Sequence, residues 1–209
     1  MDLPVGPSTG SELIGGRHVF SVRAVLVRAA AWVTSDVMAS TDTTRASEGI
    51  LGEDQREKRD EIIEMLRKAY WMEIETVMSY IANSVNPDGV RAQEIKESLE
   101  QDITEELGHA KLFAERIKEL YGVVPGSEDF SAEQTYLQPP DEQVDVVHVI
   151  RGVIEAETGA IEHYTKIVEA TDGVDPVTND MVIDILHDEQ GHRRLFEGFL
   201  REYEAQGLA

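Results

Sequence analysis

Four stretches of roughly 30 residues place apolar side chains at helical spacing, separated by two short turns and one long connection. An apolar residue every three to four positions makes one face of a helix hydrophobic, and four such faces bury one another in a bundle. The first stretch, 54–84, carries Ile62, Leu66, Tyr70, Val77, Tyr80 and Ile81, and Asn86-Pro87-Asp88-Gly89 turns the chain after it. Proline presets φ there and glycine permits the left-handed region. The second stretch, 90–121, carries Leu99, Ile103, Ala110, Phe113, Ile117 and Leu120; Gly122 and Pro125 stop it. Residues 122–140 form the long connection, ending in Pro139-Pro140. The third stretch, 141–170, carries Val146, Ile150, Val153, Ile161, Tyr164 and Val168, and Thr171-Asp172-Gly173 breaks it. Asp175-Pro176 pairs an N-cap with proline at the first helical position. The fourth stretch runs to Glu204 with Val182, Ile185, Phe196 and Phe199 inward. No stretch reads as a strand. The connectivity predicts an all-α four-helix bundle with one long crossover between helices two and three.

The bundle is expected over residues 54–209, with residues 1–53 as a flexible N-terminal extension and linker. Arg17, Arg23 and Arg28 balance Asp2, Glu12 and Asp36 within residues 1–37, so the net charge of −22 lies downstream. The apolar run 19–33 is broken by Arg23 and Arg28, which argues against a secretory signal. A flexible tail is expected, or an upstream extension if translation begins at Met38. The chain has no cysteine, which excludes disulfides, thiol nucleophiles and thiolate-held clusters. Any metal must be held by oxygen and imidazole. Forty-one acids against 19 Lys and Arg repel phosphate backbones, so nucleic acid is not an expected partner. The bulk of that excess also reads as a solubility adaptation, for instance to high salt. No run approaches the roughly 18–20 apolar residues of a membrane span, so a cytoplasmic location is expected.

The informative positions are acids where the seam demands a hydrophobe. Glu73 lies between Tyr70 and Val77, Glu106 between Ile103 and Ala110, Glu157 between Val153 and Ile161, and Glu189 between Ile185 and Phe196. A buried carboxylate costs several kcal/mol unless paired or metal-bound, and here there is one on every helix. Residues equidistant from a turn lie level in an antiparallel pair. The midpoint of Glu73 and Glu106 is 89.5 and that of Glu157 and Glu189 is 173, each at a turn. All four can meet in one layer. Glu106-Leu107-Gly108-His109 and Glu189-Gln190-Gly191-His192 are both Glu-x-x-His, whose i, i+3 spacing turns both side chains to one side of a helix. Each half also carries a tyrosine seven residues after its first Glu, Tyr80 and Tyr164, and the Glu-to-Glu separations are 33 and 32. Four carboxylates and two imidazoles suit two divalent first-row metals, one His on each. A metal-free layer of Glu–His hydrogen bonds is the alternative.

Over residues 54–205 this pattern resembles the ferritin-like superfamily, closest to its bacterioferritin branch. The resemblance implies a ferritin-like four-helix bundle binding two iron ions per chain. Glu73 and Glu157 match terminal ligands, Glu106 and Glu189 bridging carboxylates, and His109 and His192 the imidazole of each iron. Glu105 and Asp188 match positions that orient the histidines, and Tyr80 and Tyr164 match tyrosines beside the site. Leu107 replaces the methionine that ligates haem, so no haem is expected. Ala160, and the lack of cysteine, depart from the rubrerythrin pattern. Seventeen residues follow His192, too few for the fifth helix of full-length ferritins, so a homo-oligomer is expected that is dodecamer-like or smaller.

The implied activity is oxidation of Fe(II) by O2 or H2O2 for iron storage or detoxification, with the eight residues of the ligand layer and its tyrosines as the reacting site. An oxygenase or oxidase acting on an organic substrate, a manganese-dependent peroxide-disposing protein and a non-catalytic interaction bundle are the alternatives. His187 and His163 fall off the seam and are expected at the surface or rim, while His148 and His18 have no partner set. Glu75, about 200° round the helix from Glu73, is expected in solvent. Gly108 and Gly191 occupy the same place in both motifs and suggest close backbone approach.

Overall fold

The computed structural model describes residues 49–209, so His18, Met38 and the expected tail lie outside the described residues. Four long helices follow in order: α1 (Arg56–Val85), α2 (Ala92–Glu119), α3 (Val146–Thr171) and α4 (Pro176–Ala205). The described residues contain no strand. Short 3-10 turns at Gly49–Leu51 and Glu53–Gln55 precede α1. They are folded onto it: Ile50 is buried, and Arg59 donates to the carbonyls of Ile50 at 3.1 Å and Gly52 at 2.9 Å. The folded unit thus reaches back to Gly49, before the expected residue 54.

α1 pairs with α2 and α3 with α4, as the short turns require. Both turns hinge on glycines in the left-handed region, Gly89 at φ 99° and Gly173 at φ 66°. α3 starts later than residue 141, because Asp145 is the N-cap and accepts from the His148 amide at 3.0 Å. Asp175 caps α4 in the same way, accepting from the Thr178 amide at 3.1 Å. It also receives both Nη2 contacts of the buried Arg116, at 2.8 and 3.0 Å, which tie the end of α2 to the start of α4. The pair is charge-assisted, and Arg116 Nε donates to Thr178 Oγ1 at 2.8 Å beside it, which fixes the guanidinium against the start of α4.

The buried face of α1 is Ile62, Leu66, Ala69, Glu73, Thr76, Tyr80 and Asn83, alternating steps of four and three. The expected Tyr70 and Val77 are half-buried, and Ile81 is 49% exposed. Small or polar residues hold those inward places instead: Asn83 Nδ2 donates to the Leu137 carbonyl at 2.9 Å, leaving its buried Oδ1 without a partner, and Gln134 donates to Thr76 Oγ1 at 2.8 Å. Ile103, Ile161, Val168 and Phe199 are likewise half-buried, with Asp102, Ala160 and Ile167 inward on α2 and α3. The apolar core falls into two clusters. One holds Ile62, Leu66, Phe113, Ile117, Ile167 and Val182; the other holds Leu99, Leu137, Ile150, Val153 and Phe196. The seam acids lie between them along every helix.

Two further expectations are corrected here. Glu75 is 5% exposed, because the crossover passes over it and both Glu133 and Gln134 donate their amides to its carboxylate. His163 is buried rather than at the rim. Its Nε2 donates to the Met65 carbonyl at 2.9 Å, and burial lowers its pKa, so the ring is a neutral tie between α3 and α1. His187 is exposed as expected, and the exposed His148 donates to the Gln138 carbonyl at 3.0 Å.

The close backbone approach lies elsewhere than Gly108 and Gly191, where an added Cβ meets nothing within 4 Å. It is at Gly152, where a Cβ would sit 2.6 Å from the Tyr136 carbonyl oxygen and 3.3 Å from Leu137 Cα. Gly152→Ala should therefore push the crossover off α3 and cost about 1–3 kcal/mol, read from the urea midpoint of metal-free protein. Gly108→Ala should be neutral or stabilise by up to about 1 kcal/mol, since it gains helix propensity without a clash.

Candidate metal centre

The structure brings Glu73, Glu106, His109, Glu157, Glu189 and His192 into one buried layer. Their donor atoms form two overlapping groups, Glu73–Glu106–His109–Glu189 and Glu106–Glu157–Glu189–His192, each with its atoms within 4.8 Å of one another. Glu106 and Glu189 belong to both. Both histidines point Nδ1 into the layer. His109 Nδ1 is 3.2 Å from Glu106 Oε2, 3.1 Å from Glu189 Oε1 and 3.9 Å from Glu73 Oε1. His192 Nδ1 is 3.3 Å from Glu106 Oε1 and 3.6 Å from Glu189 Oε2.

The outward ring nitrogens meet acids across the bundle. His192 Nε2 is 2.9 Å from Glu105 Oε2, and His109 Nε2 is 3.5 Å from Asp188 Oδ2. Such contacts fix ring orientation and leave Nδ1 free to ligate. Tyr80 donates to Glu157 Oε1 and Tyr164 to Glu73 Oε1, so each tyrosine holds the terminal carboxylate of the other half. Both phenols are fully buried, and burial followed by the adjacent carboxylate raises each phenol pKa well above its ordinary value.

The donor set fits cations. Glu106 Oε1, Glu189 Oε1 and His192 Nδ1 are buried without a hydrogen-bond partner among the described residues. Several neighbouring acceptors thus converge without satisfying one another, an arrangement a metal resolves and an apolar core would not tolerate. Sequence reasoning missed Asp102, which is buried 3.9 Å from His192 Nε2 with Oδ2 unpartnered. The signal was present: Ile95, Leu99, Asp102, Glu106 and His109 alternate steps of four and three, whereas Ile103 would put two steps of four in succession.

The profile of the ferritin-like domain matches residues 63–205. The chain belongs to the ferritin-like family. Among curated relatives, the DNA protection during starvation protein of Pyrococcus furiosus is 32% identical over 146 residues, covering 68% of this chain and 77% of that one. The bacterioferritin of Desulfovibrio desulfuricans is 25% identical over 144 residues, covering 68% and 76%. The crystal structure of the D. desulfuricans bacterioferritin superposes with a TM-score of 0.63 at 24% identity, over 73% of this chain and 85% of that one. A dodecameric thioferritin of Bacteroides fragilis gives 0.62 at 23%, over 71% and 89%.

The ferritin-like layer has its own electrostatics when no metal is bound. Burial raises Glu73 and Glu157 well above the usual carboxylate range, and the charges of Glu106 and Glu189 add to it. Burial opposes charge on the imidazoles too, but the adjacent carboxylates of Glu106 and Glu189 outweigh it and push His109 up to about 10 and His192 to about 12. Burial would raise Glu189 as well, yet the two histidines beside it hold it down to about 2. Protons therefore do a cation's work in the metal-free layer, and metal must displace them.

The sign follows from linkage. His109 and His192 bind their protons more tightly folded than unfolded, so their contribution is complete below the unfolded value near 6.5 and fades as pH climbs towards 10 and 12. Glu73 and Glu157 act in the same direction from about 4.5 upward, whereas the opposite effect of Glu189 is confined to acid pH. The melting temperature of chelator-treated protein should fall by about 5 °C or more between pH 6.5 and 9. Zn2+-loaded protein should show a flatter profile, and calorimetry of anaerobic loading should detect proton release.

Proposed function

We propose that this ferritin-like protein is a di-iron ferroxidase, oxidising Fe(II) with O2 or H2O2 in iron storage or detoxification. The observation that carries this reading is the pair of overlapping ligand groups sharing Glu106 and Glu189. Glu73 and His109 would hold one Fe2+, Glu157 and His192 the other, and the two shared carboxylates would span both. Each ion gives up one electron, and two held side by side supply the pair that reduces O2 to H2O2 or H2O2 to water. The protein's own part is to fix those positions. Tyr80 and Tyr164 orient the terminal carboxylates, and Glu105 and Asp188 orient the imidazoles.

The space over the layer supports iron, rather than an organic molecule, as the substrate. It is closed, bounded by Met72, Thr76, Gln134, Ala156 and Ala160, and has no room for a drug-sized ligand. The same donor set would accept manganese, and the ferritin relatives favour iron. Leu107 is 54% exposed and lacks a thioether, which supports a haem-free protein. Assembly into a homo-oligomer, dodecameric like the B. fragilis relative, is supported by the exposed apolar stripe of Met78, Ile81 and Val85 on one face of α1. No helix among the described residues is long and apolar enough to cross a membrane. The net charge of −22 sets the chain against phosphate backbones.

Glu106→Ala takes a ligand from each ion and should slow stopped-flow oxidation of two Fe2+ per chain at least about 100-fold. The exposed Glu100→Ala is the control, and melts of metal-free protein establish that both variants fold. Wild-type oxidation by Glu106→Ala would sink the assignment. Anaerobic Fe2+ titration should saturate at two ions per chain in the wild type.

A further inference from the structure

The layer is enclosed, yet ions must reach it. A surface groove of about 900 Å³ between α1, α3 and the crossover shares Met72 and Gln134 with the closed space over the layer. Thr76 lines the closed space beside them. Gln134 is buried, its Nε2 donating to Thr76 Oγ1 at 2.8 Å and to the Met72 carbonyl at 3.3 Å, and its Oε1 accepting from Thr76 Oγ1 at 3.3 Å. These are bonds between neutral groups, the weakest class of buried hydrogen bond. The backbone of the same residue is held far more firmly. Glu75 accepts the Gln134 amide at 2.7 Å and the Glu133 amide at 2.9 and 3.0 Å, charge-assisted bonds that offset burial of the carboxylate.

We propose that this groove is the approach by which Fe2+ reaches the layer, that the Gln134 side chain is its movable closure, and that Glu75 is the residue that positions it. The proposal rests on the layer being the iron site. Its chemistry suits a divalent cation. Five carboxylates and three cationic side chains line the groove, and one of the three, Arg67, is already bound to Glu64 at 2.6 Å and to the Val123 carbonyl at 3.0 Å. Once the carboxamide turns aside, Gln134 Oε1, Thr76 Oγ1 and the Met72 carbonyl are neutral oxygens that can pass a hard cation inward without trapping it. The firm backbone and loose side chain divide the labour, because the strap stays in place while the plug moves. A second hollow reaches the layer from the other side, past His192, Glu105 and Asp188. There an ion would have to displace a ligand imidazole.

Anaerobic stopped-flow uptake of Co2+, followed by its d–d absorption, tests the proposal without any turnover. Gln134→Ala should bind the same two Co2+ about tenfold faster, as expected when the neutral hydrogen bonds of the carboxamide no longer have to break. Glu75→Ala should also accelerate uptake, and Glu75→Gln, which keeps one acceptor oxygen, should fall between it and the wild type. Gly159 lines the groove, and a Cβ there meets nothing closer than Tyr136 Oη at 3.8 Å, so the Cβ of Gly159→Phe is accommodated and its ring projects from the groove wall. It should slow uptake about tenfold or more. Unchanged rates in Gln134→Ala, or a Gly159→Phe variant that loads like the wild type, would overturn the proposal and send the ions past His192. Fewer than two Co2+ bound by the wild type would instead overturn the metal-centre reading beneath it.

Discussion

Four carboxylates buried in one layer make a demand that the rest of the molecule is built to meet. Each costs several kcal/mol to desolvate alone, and no Lys or Arg among the described residues pairs with them. The charge is answered by imidazoles from within, and cations are the natural completion. Such a layer would come apart if its helices could slide, because its groups must stay within a few ångströms of one another. The two apolar clusters above and below it prevent that. So do the locks outside the layer: Arg116 on Asp175 between α2 and α4, His163 on the Met65 carbonyl between α3 and α1, and Asn83 on the crossover.

The two halves of the chain solve the same problem twice. Glu73 and Tyr80 stand to Glu157 and Tyr164 as one turn of sequence to its copy, and the hydrogen bonds run crosswise between copies. Crosswise pairing makes neither half sufficient, so the layer exists only when both hairpins dock. Its departures from symmetry are local. Asp102 has the buried Ile185 as its counterpart, and Glu75 has Gly159. The second difference has a structural reason. The crossover lies over α1 at Glu75 and needs a carboxylate for its amides, while α3 at Gly159 needs only to leave the groove open.

The helices, their turns and the level of the four acids were legible because period and turn chemistry are local properties of a sequence. So were the four acids and two histidines that the structure gathers into one layer, since an acid on an apolar stripe contradicts its neighbours. What could not be read locally was which residues the crossover covers. Glu75 seemed solvated because its helix angle faces away from the core; a loop 58 residues on supplies the amides that bury it. His163 was misplaced for the same reason, its partner being on another helix. In α1 the apolar signal points one residue late, to Tyr70 and Val77, because those residues are larger and more apolar than Ala69 and Thr76. Strict alternation of four and three steps from Ile62 through Glu73 would have chosen the smaller set.

The acidity of the chain and the acidity of its core are separate matters. Of 41 acidic residues, the layer uses four, and most of the others lie on the outer faces of the helices. Surface charge steers cations over a distance set by salt, about 10 Å at 0.1 M and about 3 Å at 1 M. In a saline medium that steering would fade while the layer, shielded from water, kept its pull. The final capture of an ion must then depend on groups within contact distance of its path rather than on the net charge of −22. The residues that close the layer, Thr76, Gln134 and Met72, are uncharged. A charged closure would hold an arriving cation at the door; a neutral one lets the deeper carboxylates win.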